Sequence, residues 1–280
     1  MDLYEEILRL RRSGIKCALA TIVNVRGSIP SYESAKLLVR EDGSIFGTVG
    51  GGCVEAEVWS VAREVMELEK PRRLKFDLNN DPAYDTGLLC GGTLEVFVEP
   101  ILPTPTVYIF GAGHVSQALS KVAVLAGFET IVIDDRETYA NRERFPEARE
   151  VIAGDFDAVC EKLEPNSSSY LIAVTRGHKD DMRVLRWAVG TEAKYVGMIG
   201  SKRKVLEIAK FLVEKEGIPA AKLAAVHAPI GLEIGAISPE EIAISIVAEM
   251  VAVRRHALPG SLEGAPDAAP VKVKSILATS

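Results

Sequence analysis

Residues 106–113 have the sequence TVYIFGAG, which is the most informative segment of this chain about its fold. Apolar and β-branched residues run directly into Gly111 and Gly113, and a helical pattern follows from residue 114 to residue 126. Glycines at these two positions allow a tight turn and let the backbone approach a pyrophosphate, whose charge the N-terminus of the next helix stabilises. A strand, a glycine turn and a helix in this order predict a Rossmann-type nucleotide-binding domain.

The second strand of this domain, residues 130–133, ends in Asp134 and Asp135. An acidic side chain about 20 residues after the glycine turn can bind the ribose hydroxyls of a nucleotide, and Asp134 is the first choice. A carboxylate here favours NAD or another adenosine ligand over NADP, whose 2′-phosphate it would repel. His114 and Val115, in the first helical turn, are further candidate contacts, while Ser116 replaces the third glycine of the pattern. The alternative is a glycine turn that binds no ligand.

Beyond the glycine turn, short β-rich runs alternate with helical stretches. The predicted strands cover residues 107–110, 130–133, 170–174, 195–199 and 223–226. Alternation of this kind is typical of a parallel sheet with helices on both faces. Two loops follow strands at the edge where such sheets bind ligands: residues 175–181, which contain His178, and residues 197–204, which contain Lys202 and Lys204. The second loop could hold an anion, or its lysines could be solvated surface charge.

The N-terminal part has a different pattern of helices and strands. An amphipathic helix at residues 1–10 precedes predicted strands at 16–25, 35–40 and 44–49, and a helix at 54–69 precedes strands at 73–78 and 93–98. Asp42 and Gly43 are expected to form the turn of a hairpin between the second and third strands. These elements predict a smaller α+β domain in residues 1–100.

Prolines and loss of periodicity set the predicted domain limits. Pro100, Pro103 and Pro105 disfavour both helix and strand pairing, so a linker is expected at residues 101–105. The Rossmann-type domain then covers residues 106–256. Residues 257–280 lack sustained periodicity and are expected to form a flexible tail. The chain as a whole is therefore predicted to be α/β, with the α+β domain first.

Two of the four cysteines lie beside glycines. Cys53 follows Gly51 and Gly52 at the start of a predicted helix, where backbone N–H groups and the helix dipole stabilise an anionic sulfur. Cys90 precedes Gly91 in a loop, which leaves its sulfur open to a bulky ligand. Both cysteines are therefore candidate functional residues, with simple packing as the alternative.

The other cysteines, Cys17 and Cys160, lie in apolar or helical runs and are predicted to be small core residues. Four cysteines in 280 residues are too few for a disulfide framework. Cys53 and Cys90 are 37 residues apart, without a CxxC pair or a nearby histidine. A structural zinc site is therefore not supported.

The charge and the apolar pattern exclude several classes of function. The net charge is −6 and the isoelectric point is about 5.4, so no basic surface for nucleic acid is expected. No apolar run reaches the roughly 18–20 residues of a membrane span, so a cytoplasmic protein without a membrane partner is expected. The chain contains no nucleophile elbow, Walker loop or HExxH pattern, so no sequence motif supports a hydrolase function.

Several segments taken together resemble the XdhC/CoxI family, whose members are accessory proteins for xanthine dehydrogenase and related molybdenum hydroxylases. These segments are residues 50–55, 89–92, 110–115, 134–136, 197–204, and 229–235 followed by 239–249. The resemblance covers both domains in order, from about residue 3 to about residue 255, and leaves out only the tail. The combination is far more specific than any single motif.

The resemblance implies a chaperone that binds molybdenum cofactor, works with a cysteine desulfurase during sulfuration, and delivers the cofactor to the apo-hydroxylase. Cys53 and Cys90 match the N-terminal cysteine positions of the family, where they would contact the molybdenum centre or carry or protect its sulfur. The Rossmann half would bind a nucleotide, either the nucleotide part of a dinucleotide form of molybdopterin or NAD as a regulator. We expect a homodimer that acts as a chaperone and not as an enzyme.

Two other functions fit the same residues. An NAD-dependent oxidoreductase would use His178 or His227 as its general acid-base, since a nucleotide fold alone does not define the chemistry. A nucleotide-sensing regulatory module would change shape on binding and catalyse nothing. Hydride transfer that does not depend on the cysteines would distinguish the oxidoreductase from the other two.

Overall fold

The computed structural model describes residues 2–28, 31–78, 91–255 and 257, and the chain divides into two compact units. Unit 1 is Met1–Thr104 and unit 2 is Pro105–Ser280. In the described ranges each unit contains one five-stranded sheet. No helix in these ranges is long and apolar enough to cross a membrane. The predicted tail, apart from residue 257, lies outside the described residues.

Unit 1 is an antiparallel sheet with a helix on each face, which agrees with the predicted α+β pattern. Its elements are α1 (Leu3–Arg12), β1 (Cys17–Ser28), β2 (Lys36–Arg40), β3 (Ile45–Gly47), α2 (Gly52–Leu68), β4 (Arg72–Asp77) and β5 (Gly91–Ile101). The strand order is β3-β2-β1-β5-β4, and β2 and β3 form the predicted hairpin. Side chains alternate along β1, so Ala18 and Ala20 pack with α2 while Cys17 and Leu19 pack with α1.

The last strand of unit 1 extends further than its prolines predict. Pro100, expected to disfavour strand pairing, lies within β5 opposite Ala18 of β1. The pairing of β5 with β4 ends where Val98 lies opposite Arg72. Beyond Val98 the strand therefore has a neighbour on one side only, and a strand tolerates proline at such an edge.

Unit 2 is a parallel sheet with helices on both faces, as the sequence predicts. Its elements are β6 (Thr106–Phe110), α3 (His114–Leu125), β7 (Glu129–Asp134), β8 (Glu150–Ala153), α4 (Phe156–Cys160), β9 (Ser169–Ala173), α5 (His178–Ala188), β10 (Tyr195–Met198), α6 (Lys202–Glu214), α7 (Ala220–Leu223) and α8 (Pro239–Arg254). The strand order is β10-β9-β6-β7-β8. Every residue of β6 is buried, because Val107 and Ile109 pack with α3 and α8 while Tyr108 and Phe110 pack with α5 and α6. The order reverses direction between β6 and β9, which is where open α/β sheets bind their ligands.

Two elements of unit 2 differ from the sequence prediction. The strand predicted at residues 223–226 is wrong, because α7 ends at Leu223 and a turn follows. Only the next residue, His227, pairs with the sheet, through a single parallel bridge to Gly197 of β10. Strand β8 is not predicted because its four residues are exposed or half-buried and form no apolar run. Short segments such as these fit helix and strand periodicities almost equally.

Candidate functional site

Cys53 is exposed at the start of α2, directly after three glycines. Gly50, Gly51 and Gly52 have φ angles of 118°, 73° and 62°, which other residues rarely adopt. Apart from the neighbouring residues in the chain, no atom of the described residues lies within 4 Å of the point where a Cβ would stand on Gly51 or Gly52. The turn that presents Cys53 therefore requires glycine and leaves open space for a ligand.

The turn before Cys53 is held by Glu55, which lies in the first turn of α2. Its Oε2 accepts hydrogen bonds from Thr48 Oγ1 at 2.7 Å and from Val49 N at 3.3 Å. The N–H of Gly50 donates to Thr48 Oγ1 at 3.1 Å. These contacts lie within eight consecutive residues, so the turn before Cys53 is stabilised by its own segment of chain.

The remaining cysteines divide into two that are buried and one that is not described. Cys17 and Cys160 are buried, which confirms their prediction as core residues. Burial raises the pKa of the Cys17 thiol to about 11 and that of Cys160 to about 12, so both are neutral thiols at physiological pH. Cys90 lies outside the described residues, immediately before Gly91, the first residue of β5. Within the described part of the chain no three His, Cys, Asp or Glu side chains are grouped to hold a metal ion.

Gly111 and Gly113 have different roles in the turn between β6 and α3. Gly111 has a φ of 113°, and a Cβ there would lie 2.4 Å from the carbonyl oxygen of Val174. Gly113 is the N-cap of α3 with a φ of −77°. A Cβ there would meet no atom within 4 Å in the part of the chain that the structure describes, its chain neighbours apart. Gly111 therefore lets β6 pass close to the end of β9, whereas Gly113 borders the open space in front of the helix.

The first turn of α3 places the remaining predicted contacts of this loop. His114 is the first residue of the helix and is exposed, and Val115 is half-buried. Ser116, at the position of the third glycine, is buried, and its hydroxyl has no hydrogen-bond partner among the described residues. A small side chain is thus accommodated where the helix packs closely against the sheet.

Asp134, the predicted ribose ligand, is buried at the end of β7. Its Oδ2 accepts a hydrogen bond from Ala112 N at 2.7 Å, and its Oδ1 accepts one from Arg136 N at 3.0 Å. The Arg136 guanidinium donates one further bond to each oxygen, at 2.8 Å and 2.9 Å. Burial alone would raise the pKa of Asp134, but these bonds outweigh it and hold the pKa below its usual value. Asp134 therefore anchors the glycine turn from inside the protein.

Several charged side chains lie around Asp134. Asp135 is half-exposed and forms ion pairs with Arg176 at 3.3 Å and with Arg136 at 3.7 Å. The guanidinium groups of Arg136 and Arg144 lie 3.8 Å and 5.0 Å from the centre of the Tyr139 ring. Arg144 also donates to the carbonyl oxygen of the glycine-turn residue 112 at 3.2 Å. The end of β7 therefore combines two carboxylates with three guanidinium groups, of which the sequence prediction used only the carboxylates.

The loops after β9 and β10 are joined by an ion pair between Asp181 and Lys204. Asp181 is fully buried and also accepts hydrogen bonds from Thr175 N at 3.2 Å and Thr175 Oγ1 at 2.8 Å. Lys202 is exposed and therefore fits the alternative of a solvated surface charge, whereas Lys204 does not. His178 is exposed at the first position of α5, on the same edge of the sheet as the glycine turn.

The structure brings together Tyr195, His227 and Glu249 in a cluster that the sequence does not predict. Glu249 on α8 lies 2.9 Å from His227 Nδ1 and accepts a hydrogen bond from Gly231 N at 2.9 Å, and the Tyr195 hydroxyl also donates to it. The His227 ring stacks on Tyr195 with the ring centres 4.4 Å apart. Burial alone would raise the pKa of Glu249, but the hydrogen bonds, first that of His227, hold it below its usual value. The cluster ties residues 227–231 to both α8 and β10.

The strand order and the turn at Gly111 define an α/β protein with a Rossmann-type unit. Residues 107–250 match the XdhC Rossmann domain, and residues 10–77 match the XdhC and CoxI family. The chain therefore belongs to the XdhC and CoxI family, which confirms the resemblance seen in its motifs.

Similar proteins occur in Escherichia coli and in Bacillus species. The uncharacterized protein YqeB of E. coli (strain K12) is 35% identical over 263 residues, which cover 94% of this chain but only 48% of YqeB. The molybdenum cofactor insertion chaperone PaoD of the same strain is 27% identical, with 87% of this chain and 85% of PaoD covered. A probable xanthine dehydrogenase subunit of Bacillus subtilis (strain 168) is 22% identical, with 86% and 94% covered. The crystal structure of a xanthine dehydrogenase from Bacillus halodurans is similar with a TM-score of 0.50 and 25% identity, covering 94% of this chain and 98% of that one.

Proposed function

We propose that this chain is an accessory protein that binds molybdenum cofactor, supports its sulfuration and inserts it into a xanthine dehydrogenase-type hydroxylase. The observation that carries the proposal is the similarity to PaoD, which is named a molybdenum cofactor insertion chaperone and aligns with 87% of this chain. The two Bacillus relatives are named as a xanthine dehydrogenase and as part of one. These names together favour a molybdenum hydroxylase of this type as the client.

Cys53 is the proposed contact to the cofactor in unit 1. It is exposed, and the Gly51 and Gly52 turn next to it leaves room for a bulky ligand. Sulfur is a soft ligand, suited to a metal centre that is itself bound by sulfur. Cys90, followed by Gly91, is proposed as the second contact. The cofactor is then cargo that the chain holds and passes on.

The proposed partners follow from the same role. A cysteine desulfurase supplies the sulfur while the chain holds the cofactor, and the apo-hydroxylase then receives the sulfurated cofactor. The chain is proposed to act as a homodimer. Because this chain spans about half of YqeB, the activity and partners of that longer relative are not transferred to it.

Unit 2 is proposed to bind a nucleotide at the C-terminal edge of its parallel sheet. The open space at Gly113 and the exposed positions of His114 and His178 support this site. Asp135 is the more exposed of the two carboxylates at the end of β7 and is the one proposed to contact the ligand. The ligand is either the nucleotide part of a dinucleotide cofactor or a separate nucleotide such as NAD.

The cysteine assignment is tested by titrating the purified chain with isolated molybdenum cofactor under anaerobic conditions. We expect the wild-type chain to bind the cofactor and the Cys53→Ala/Cys90→Ala double variant to lose that binding. The Cys160→Ala variant is the control, because that thiol is buried and remote in sequence from both glycine turns. Unchanged affinity in the double variant would remove the two cysteines from the cofactor site.

An NAD-dependent oxidoreductase is the second candidate, favoured by the Rossmann topology and the glycine turn. The proposed acid-base would be His178, which is exposed, since Nδ1 of His227 is already engaged by buried Glu249. This function predicts a change in the near-ultraviolet absorbance of nicotinamide with a small substrate. The change would persist in the double cysteine variant.

A further inference from the structure

The carboxylate of Asp134 already accepts two hydrogen bonds at each oxygen. Oδ1 is bonded by Arg136 N and Arg136 Nε, and Oδ2 is bonded by Ala112 N and Arg136 Nη2. The side chain is only 3% exposed. A free ribose diol would therefore have to displace the guanidinium of Arg136 before it could donate to this carboxylate.

Arg136, in contrast, still has donors to offer. A guanidinium carries five N–H groups, and the side chain of Arg136 uses two of them on Asp134. The side chain is 27% exposed and lies over the ring of Tyr139, which restricts its movement. Arg176, 59% exposed, extends to the same place and pairs with Asp135. Two guanidinium groups with available donors thus border the position where a ribose hydroxyl would meet the end of β7.

We propose that the nucleotide site of unit 2 takes a nucleotide whose ribose carries a second phosphate, and that Arg136 is the residue that selects it. This rests on the nucleotide binding proposed above. A phosphate monoester matches the planar fork of a guanidinium and forms charge-assisted hydrogen bonds with it. Asp134 is paired with Arg136 and Asp135 with Arg176, and the guanidinium of Arg144 beside Tyr139 gives these five groups a net positive charge that favours the phosphate. The specificity is therefore the reverse of the preference for NAD that the acidic residue suggests in the sequence alone.

This ligand is distinct from the cargo of unit 1. A dinucleotide form of molybdopterin has a free ribose diol on its nucleotide, and that diol finds no available acceptor at Asp134. The ligand of unit 2 is then a separate phosphorylated nucleotide, with a regulatory or co-substrate role. The phosphate could stand on the 2′ or the 3′ oxygen of the ribose, as both face the same end of the nucleotide.

Calorimetric titration of the full-length chain with three matched adenosine nucleotides tests this inference. The probes are adenosine 5′-monophosphate and the same molecule with an added phosphate at the 2′ or the 3′ oxygen. We expect one of the two bisphosphates to bind at least about 10-fold more tightly than the monophosphate, a change that corresponds to about 1.4 kcal/mol. Equal or weaker binding of both bisphosphates would overturn the proposal and leave nucleotide binding intact. If none of the three binds, adenosine nucleotides are excluded as ligands of unit 2 and the inference falls with them.

Three variants show whether Arg136 is responsible for the preference. Arg136→Ala is expected to lose the preference for the bisphosphate or to reverse it. The added phosphate loses its donor, and the Asp134 carboxylate is left free to accept from the ribose diol. Arg149→Ala is the matched control, since Arg149 pairs with Glu129 at the opposite end of β7 and should keep the wild-type preference. A preference retained in Arg136→Ala would contradict the assignment. The ratio of the two affinities within one variant does not depend on how far that variant is destabilised. Arg136→Lys keeps the positive charge but lacks the planar guanidinium, so it should retain only part of the preference.

Discussion

Gly111 and Gly113 are two residues apart in one turn, yet the structure shows a different physical reason for glycine at each position. Gly111 has a φ of 113°, and a Cβ on it would lie 2.4 Å from the carbonyl oxygen of Val174. A Cβ on Gly113 would meet no atom of the described residues within 4 Å beyond its chain neighbours. The sequence pattern predicts both glycines but does not distinguish their roles. One glycine is required by the fold, and the other is required only if a ligand approaches.

Substitution by alanine separates these roles. Gly111→Ala is expected to destabilise unit 2 by roughly 2–5 kcal/mol, because backbone strain and overpacking act together. Gly113→Ala should leave the unfolding temperature nearly unchanged but weaken nucleotide binding, since its methyl group projects into the open space. Thermal unfolding and nucleotide titration of both variants check this. A stable Gly111→Ala variant, or full nucleotide affinity in Gly113→Ala, would contradict the roles given to the two positions.

Glu249 is the buried acceptor on which the Tyr195 and His227 cluster depends. Glu249→Ala leaves the Tyr195 hydroxyl and the Gly231 N–H without their acceptor, so a loss of roughly 3–5 kcal/mol in the free energy of unfolding is expected. The matched control is Glu207→Ala on α6, whose exposed pair with Arg203 should contribute less than about 0.5 kcal/mol. Urea unfolding measures both. Similar losses in the two variants would mean that the cluster adds nothing to stability.

The sequence predicts the site residues that belong to a local pattern and misses those that meet only in the fold. Cys53, Gly111 and Asp134 are identifiable because each stands at a fixed distance from a glycine turn or a strand end. Glu249 lies 54 residues from Tyr195 and 22 from His227, so no spacing rule links them. Arg136 is two residues from Asp134, but the ion pair between them depends on the buried orientation of Asp134, which the sequence does not show.

At the level of elements, a buried carboxylate on α1 links this helix to the sheet of unit 1, in addition to the apolar contacts of Ile7 and Leu10. Glu6 on α1 lies 2.7 Å from Arg9 on the same helix and 2.7 Å from Arg40 on β2. Hydrogen bonds from Arg9 and then from Arg40 lower the pKa of Glu6 from 4.5 to about 2. The charged form is therefore the one that holds the helix in place.

This contact predicts a specific dependence of stability on pH. Since the pKa of Glu6 is lowered in the folded state, its contribution is complete above its unfolded value of 4.5 and is lost as the pH falls towards 2. The stability difference between the wild type and Glu6→Gln should be largest above about pH 5 and should close at lower pH. Urea unfolding across this range, with Glu67→Gln on the exposed face of α2 as control, measures it. A difference that stays constant with pH would exclude the ionised carboxylate as the source.

The elements with strong periodicity are the ones that the sequence predicts well. The strands β6, β7 and β9 are runs of buried residues, and α1 and α2 have clear apolar faces. The segments that the sequence predicts incorrectly are short or lie at edges of the sheet. Strand β8 has four residues, two of them exposed, and residues 223–226, wrongly predicted as a strand, contain two alanines. Pro100 is tolerated because β5 has lost one neighbour by that point, a fact of sheet order and not of local sequence.

At the scale of the whole molecule, we assign cofactor handling to unit 1 and nucleotide binding to unit 2. In this proposal the chain carries molybdenum cofactor as cargo, which the similarity to PaoD supports most strongly. The claim does not depend on the nature of the nucleotide. It can therefore be tested without knowing the ligand of unit 2 or the client hydroxylase.

The most direct measurement is native mass spectrometry, combined with metal analysis, of the chain isolated from cells that make molybdenum cofactor and from matched cells that do not. We expect a pterin-containing adduct together with molybdenum on the wild-type chain from the first cells. The adduct should be absent from the second cells and from the Cys53→Ala/Cys90→Ala variant. A chain that carries only a nucleotide, with neither molybdenum nor pterin in either strain, would contradict the claim.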